Sequence, residues 1–72
     1  MSGRQRLLLG VRGMDTPDGA AYVAETLRAL PGVYEVEADT DGQAAVEYDA
    51  TELTAMDLIR ALRGIGFLAG AE

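Results

Sequence analysis

The chain contains no cysteine and no histidine. Without cysteine there is no disulfide and no thiolate to hold a metal ion, and nothing follows about redox compartment. Without histidine, the commonest transition-metal ligand and the commonest general base are both missing. Lysine and asparagine are absent as well, so all six basic residues are arginine, and the one serine is Ser2. Nucleophile–base pairs are therefore nearly unavailable, and an enzyme is not expected. Basic charge is scarce: twelve acids against six arginines leave a net charge of −6, which disfavours nucleic acid and anionic membrane surfaces. The apolar run near the start, Leu7-Leu8-Leu9-Gly10-Val11, is too short to span a bilayer and carries no signal-peptide cleavage pattern. The expected location is the cytoplasm.

What remains is the pattern of a small folded unit. Seventy-two residues suit one domain (residues 1–72, core about 6–69), near the size where a single core is marginal. Met1 to Gln5 reads as a short polar lead, frayed at its end. Arg6 to Arg12 alternates as a strand, with Leu7, Leu9 and Val11 inward. Pro17 to Leu30 carries Ala20, Val23, Leu27 and Leu30 at helical spacing, and Glu25 with Arg28 suits a small i,i+3 pair. Pro31-Gly32 ends that helix. Val33 to Asp39 reads as a strand with Val36 and Ala38 inward, and Asp41-Gly42 as a tight hairpin leading into a strand over Ala44 to Asp49. A second helix starts at Thr54, with Asp57 as a short capping box and Leu53 facing Leu58, and stops at Gly66. Phe67-Leu68-Ala69 is a brief last strand, followed by a loose tail. Two strand–helix–strand halves of this kind predict an α+β fold, a four-stranded antiparallel sheet with two helices on one face.

The link between the first strand and the first helix, Gly13-Met14-Asp15-Thr16-Pro17-Asp18-Gly19, is built to start a helix. Thr16 is a good N-cap, Pro17 suits the first helical position, and Asp18 sets a carboxylate against the positive end of the helix dipole. Gly19 is out of place there, since glycine inside a helical turn costs roughly 0.5–1 kcal/mol relative to alanine.

That link, with Leu30-Pro31-Gly32-Val33, Val46-Glu47-Tyr48-Asp49 and Gly66-Phe67, resembles the heavy-metal-associated domain of copper chaperones and metal-pump N-termini. The resemblance runs from about Leu7 to Leu68 and implies the ferredoxin-like βαββαβ fold. That family writes the loop as Gly-Met-x-Cys-x-x-Cys; here Gly13 and Met14 match, but Thr16 and Gly19 stand at the two ligand positions. Cu(I) selects thiolate and thioether sulfur. Thr16 offers a hydroxyl and Gly19 no side chain, so the family metals Cu(I) and Zn(II) are put in doubt and no cofactor is expected. The resemblance also implies that Met14 points inward as a core plug and that Phe67 lies over the loop, where an ordinary core role explains Phe67 equally well.

Several functions can be weighed against these residues. A hard-cation site would draw on Asp15 and Asp18, but calcium wants six to eight oxygens. A phosphate loop fails because Ala20 follows Gly19 and both aspartates repel an anion. An RNA-reading sheet needs open-face aromatics and a basic field, and this face carries Glu35, Glu37, Glu47 and Asp49. Acylphosphatases share the architecture, but their chemistry uses an arginine with an asparagine. The expected function is a non-enzymatic protein-interaction module of the metallochaperone-like family. Its acid row Glu35, Glu37, Asp39 and Glu47 would suit a basic partner, unless the acids serve only to keep sheet edges apart. The alternative is weak residual metal binding or transport through Met14, Asp15 and Asp18.

Overall fold

A computed structural model describes residues 3–71. The elements run β1 (Arg4–Arg12), α1 (Pro17–Arg28), β2 (Val33–Ala38), β3 (Gln43–Asp49), α2 (Ala55–Arg63) and β4 (Leu68–Ala71). The strands form one sheet in the order β2-β3-β1-β4, each neighbouring pair antiparallel. This is the four-stranded antiparallel α+β arrangement that the two-half pattern predicts, and the ferredoxin-like βαββαβ fold that the resemblance implies.

Period-two alternation places the core. Ala44, Val46 and Tyr48 of β3 are buried, as are Leu9, Val11 and Val36 on the flanking strands. They meet Val23, Ala24 and Leu27 of α1 and Leu58 and Leu62 of α2 in one apolar cluster, so both helices cover the same face. No polar or charged residue is buried among the described residues.

Both helices start where expected. The Thr54 hydroxyl accepts from the Asp57 N–H at 3.2 Å, and the Asp57 carboxylate accepts from the Thr54 N–H at 2.9 Å, completing the capping box. Past Arg63 the chain turns once more. The Phe67 N–H reaches back to the Leu62 carbonyl (3.0 Å) and the Gly66 N–H to that of Arg63 (3.1 Å). This paired closure requires the left-handed φ of +93° at Gly66, which glycine adopts without a Cβ penalty.

Several boundaries and contacts differ from expectation. α2 ends at Arg63, short of the expected stop at Gly66, Phe67 lies before β4 rather than in it, and β2 and β3 run to Ala38 and from Gln43. Arg4 and Gln5 belong to β1, paired with Asp49 and Tyr48, because β3 extends far enough to give them a ladder; Met1 and Ser2 of the polar lead, and Glu72 of the tail, lie outside the described residues. Gly70 and Ala71 belong to β4 rather than to a tail, since Leu9 and Gly10 pair with them. α1 ends two residues early at Arg28, and Leu30–Val33 closes as a turn with the Val33 N–H on the Leu30 carbonyl at 3.2 Å; Pro31 keeps Leu30 out of the helix. Arg28 does not serve a Glu25 pair but donates to the Val36 carbonyl of β2 at 2.9 Å.

The sequence pattern also hides a bulge. Val33 pairs with Tyr48 and Glu35 with Glu47, leaving Tyr34 as an extra residue on β2. The insertion lets Val33 turn toward the core while Tyr34 stays 51 % exposed.

Candidate functional site

The β1–α1 loop begins at Gly13, whose φ of +91° reverses the chain after Arg12. Met14 then drops into the core and is 1 % exposed, while Asp15, Thr16, Pro17 and Asp18 stay at the surface. Thr16 is extended (φ −128°, ψ 154°), its hydroxyl accepting from the Gly19 N–H at 3.0 Å and its carbonyl from the Ala20 N–H at 3.0 Å. Thr16 is thus committed to the helix start, and Pro17 loses no donor that mattered.

Gly19 sits inside a crowded corner. A Cβ there would lie 3.2 Å from the Thr16 hydroxyl oxygen, 3.7 Å from the Gly13 carbonyl oxygen and 3.7 Å from Phe67 Cζ. A Cβ on Gly13 would meet Phe67 Cδ1 at 3.6 Å, so the Phe67 ring faces both ends of the loop. Tyr22 stands edge-on to that ring, centroids 6.3 Å apart and planes at 71°. Only the Thr16 contact is tight, and it yields by a small shift of one hydroxyl. Gly19→Ala is therefore expected to gain about 0.5–1 kcal/mol, or about 2–8 °C in Tm. Thermal unfolding followed by circular dichroism checks this, and a fall in Tm would mean that the capping hydroxyl cannot move.

The acid row lies on the face of the sheet away from the helices. Glu35 and Glu37 project from β2, the sheet edge, Asp39 follows just beyond it, and Glu47 lies one strand in on β3. Glu35 and Glu47 are direct cross-strand partners, a like-charge contact that destabilises unless it is compensated. Compensation comes from β1. The Arg4 Nε donates to the Glu47 carboxylate at 2.9 Å, and Arg6 lines the same small pocket as Glu35, Glu37 and Glu47. The Arg4 guanidinium also stands 4.9 Å from the Tyr34 ring centroid. Asp49 is held by Thr51, through N–H at 2.9 Å and hydroxyl at 2.6 Å. Asp39 stands apart, beside the groove between β2 and α1.

Charge and hydrogen bonding set the acid titrations. The hydrogen bond from Arg4 holds the Glu47 carboxyl below its ordinary 4.5, outweighing partial burial, which pushes the other way. The Thr51 hydroxyl and N–H hold Asp49 below 3.8. A carboxyl lowered on folding adds stability above its unfolded value, and that stability is lost as pH falls through the folded value. Arg4→Gln is accordingly expected to lower Tm at neutral pH, with the gap to wild type closing below pH 4.5 as Glu47 protonates. Melting curves from neutral to acid pH check it; a gap that persists in acid would assign the loss to Arg4 packing instead.

Arg4 and Tyr34 are contributors that the sequence pattern did not place. Extending the β1 alternation two residues upstream, into register with the end of β3, would have found Arg4. The bulge that turns Tyr34 outward shows in the sequence only as a breach of alternation between Val33 and Val36.

A ferredoxin-like sandwich whose Gly-Met loop opens its first helix is the arrangement expected of a heavy-metal-associated domain. The sequence profile of the heavy-metal-associated domain matches residues 9–67, and the chain belongs to that family. It is similar to oxidized MerP from Ralstonia metallidurans (TM-score 0.90, 23 % identity, covering 96 % of this chain and 97 % of that one). It is also similar to the CopZ metallochaperone (TM-score 0.86, 22 % identity, 92 % and 100 % covered). A yeast copper transporter domain solved in apo and Cu(I)-loaded states matches with a TM-score of 0.84 and 26 % identity, 93 % of each chain covered. Comparison with curated proteins gives no match. Among the described residues, no three Asp or Glu side chains group as a metal site, and no helix is long and apolar enough to cross a membrane.

Proposed function

We propose that this member of the heavy-metal-associated family is a non-enzymatic protein-interaction module, without a thiolate metal site, whose acidic sheet face docks a basic partner. The observation that carries the reading is the use made of the family ligand positions. Thr16 spends its hydroxyl on the Gly19 N–H, and Gly19 has no side chain to offer. Two exposed aspartates, Asp15 and Asp18, are too few oxygens for a hard cation. Met14, the one sulfur of the loop, is buried as part of the core cluster, which withdraws the thioether from a residual metal role.

The absence of buried charge among the described residues supports a non-catalytic role, since catalytic groups gain shifted pKa values largely by desolvation. The acid face supports docking. Charged faces steer encounter, and their effect is screened as the Debye length shrinks from about 30 Å at 0.01 M to about 3 Å at 1 M salt. Binding of fluorescent oligolysine, measured across that range, is expected to weaken steeply with salt and to be lost in Glu35→Lys with Glu37→Lys. A salt-independent affinity would overturn the reading.

A further inference from the structure

We infer that β2 is an acceptor edge for an extended partner segment with alternating basic and small apolar residues, added antiparallel as a fifth strand. The inference rests on the acid-face reading and specifies how the partner is held.

The starting point is the edge backbone. The Asp39 N–H bonds to Gln43 across the β2–β3 ladder at 2.9 Å, so alternation turns the backbone groups of Glu37 and Glu35 toward β3 and those of Ala38 and Val36 outward. The Val36 carbonyl does face outward, where it accepts from Arg28 on α1 at 2.9 Å. The side chains divide in the opposite sense to one another: Val36 and Ala38 face the helix layer, and Glu35 and Glu37 the open face. Beside the edge an open groove of about 740 Å³ runs between β2 and α1, lined by Ala20, Ala21, Ala24 and Ala38 and also by the charged Arg28, Glu37 and Asp39. The alanines of α1 leave room that larger residues would fill.

An added antiparallel strand must obey the same alternation. Its residues opposite Val36 and Ala38 exchange both backbone bonds with them and direct their side chains into the groove, where small apolar groups fit. Its residues opposite Glu35 and Glu37 emerge on the open face beside two carboxylates, where cations fit, and Asp39 beside the groove adds a third negative charge near the end of the edge. A second copy of the chain is excluded as occupant, because pairing two β2 edges would bring Glu35, Glu37 and Asp39 against like acids. Arg28 acts as a latch on this edge: it holds the Val36 carbonyl and repels a basic strand until displaced.

The test uses the full chain and the peptide acetyl-Lys-Val-Arg-Val-Lys-amide, followed by fluorescence anisotropy and by the backbone amide resonances of Val36 and Ala38. A second peptide carries N-methyl groups on both valines, which removes the ladder donors and leaves charge and composition otherwise intact. Strand addition predicts that the first peptide binds and shifts the Val36 and Ala38 resonances, that N-methylation weakens it about tenfold or more, and that Arg28→Gln tightens it. Ala21→Arg, at an exposed helix position, should abolish peptide binding while oligolysine binding persists. Equal binding of the two peptides, or binding of oligolysine alone, would overturn strand addition and leave the acid-face reading standing. Failure of oligolysine and both peptides would overturn both.

Discussion

Thr16→Cys combined with Gly19→Cys is expected to yield a protein that binds one Cu(I) ion tightly under reducing conditions, where the wild-type chain binds none. The geometry for this is in place. A Cβ at position 19 lies 3.2 Å from the side-chain oxygen of Thr16, so sulfurs at the two positions would stand within reach of one soft ion. Phe67 makes only ordinary contact with that Cβ position, at 3.7 Å, and does not block it. The apo double variant should lose about 1 kcal/mol with the Thr16 cap. Bound metal more than offsets that loss, adding about 4 kcal/mol once free Cu(I) exceeds its Kd by about a thousandfold. Competition against a Cu(I) chelator gives the affinity, and melting with and without metal gives the linked stabilisation. A double variant that folds normally yet takes up no Cu(I) would show that Thr16 and Gly19 do not occupy the family ligand positions.

The second large effect is expected at Met14. Its side chain is 1 % exposed and packs in the cluster that joins β1 to both helices. Met14→Ala removes a buried side chain of this size, at a cost of about 2–5 kcal/mol. Total stability for a 72-residue chain is about 4–11 kcal/mol, so this is about a fifth of it or more. Tm should fall by about 10 °C or more. Met14→Leu conserves volume and apolarity and should cost less than about 1.5 kcal/mol. Chemical denaturation of the two variants separates a packing role from any need for sulfur. Near-equal stability of Met14→Ala and wild type would remove the plug, and with it the main argument against a thioether ligand.

Most of the fold was legible because its signals are local and periodic. The inward row Ala44, Val46 and Tyr48, the box of Thr54 with Asp57, and the Thr16-Pro17-Asp18 start each encode an element within a few residues. What was not legible depends on partners distant in the chain. Arg4 and Gln5 look like a frayed lead until the far end of β3 is seen to pair with them. Arg28 looks like a partner for Glu25 until β2 offers the Val36 carbonyl. The Tyr34 bulge answers to the conflicting demands of Val33 and Val36 for the core, and its position is fixed only by the pairing of β2 with β3.

The loop was legible in a different sense. The residue types at Thr16 and Gly19 by themselves exclude a thiolate clasp, because the chain has no thiol at all. Why Gly19 tolerates its helical cost was not readable. Its surroundings, the Thr16 hydroxyl at 3.2 Å and the Gly13 carbonyl and Phe67 ring at an ordinary 3.7 Å, leave room for a methyl group and give the glycine no packing reason.

Native mass spectrometry of the wild-type chain titrated with Cu(I), Zn(II) and Ca(II) addresses the main point without any mutation. A helix start built from a capped hydroxyl and a bare glycine predicts no stoichiometric adduct tighter than micromolar for any of the three. One ion per chain, bound more tightly than that, would contradict it.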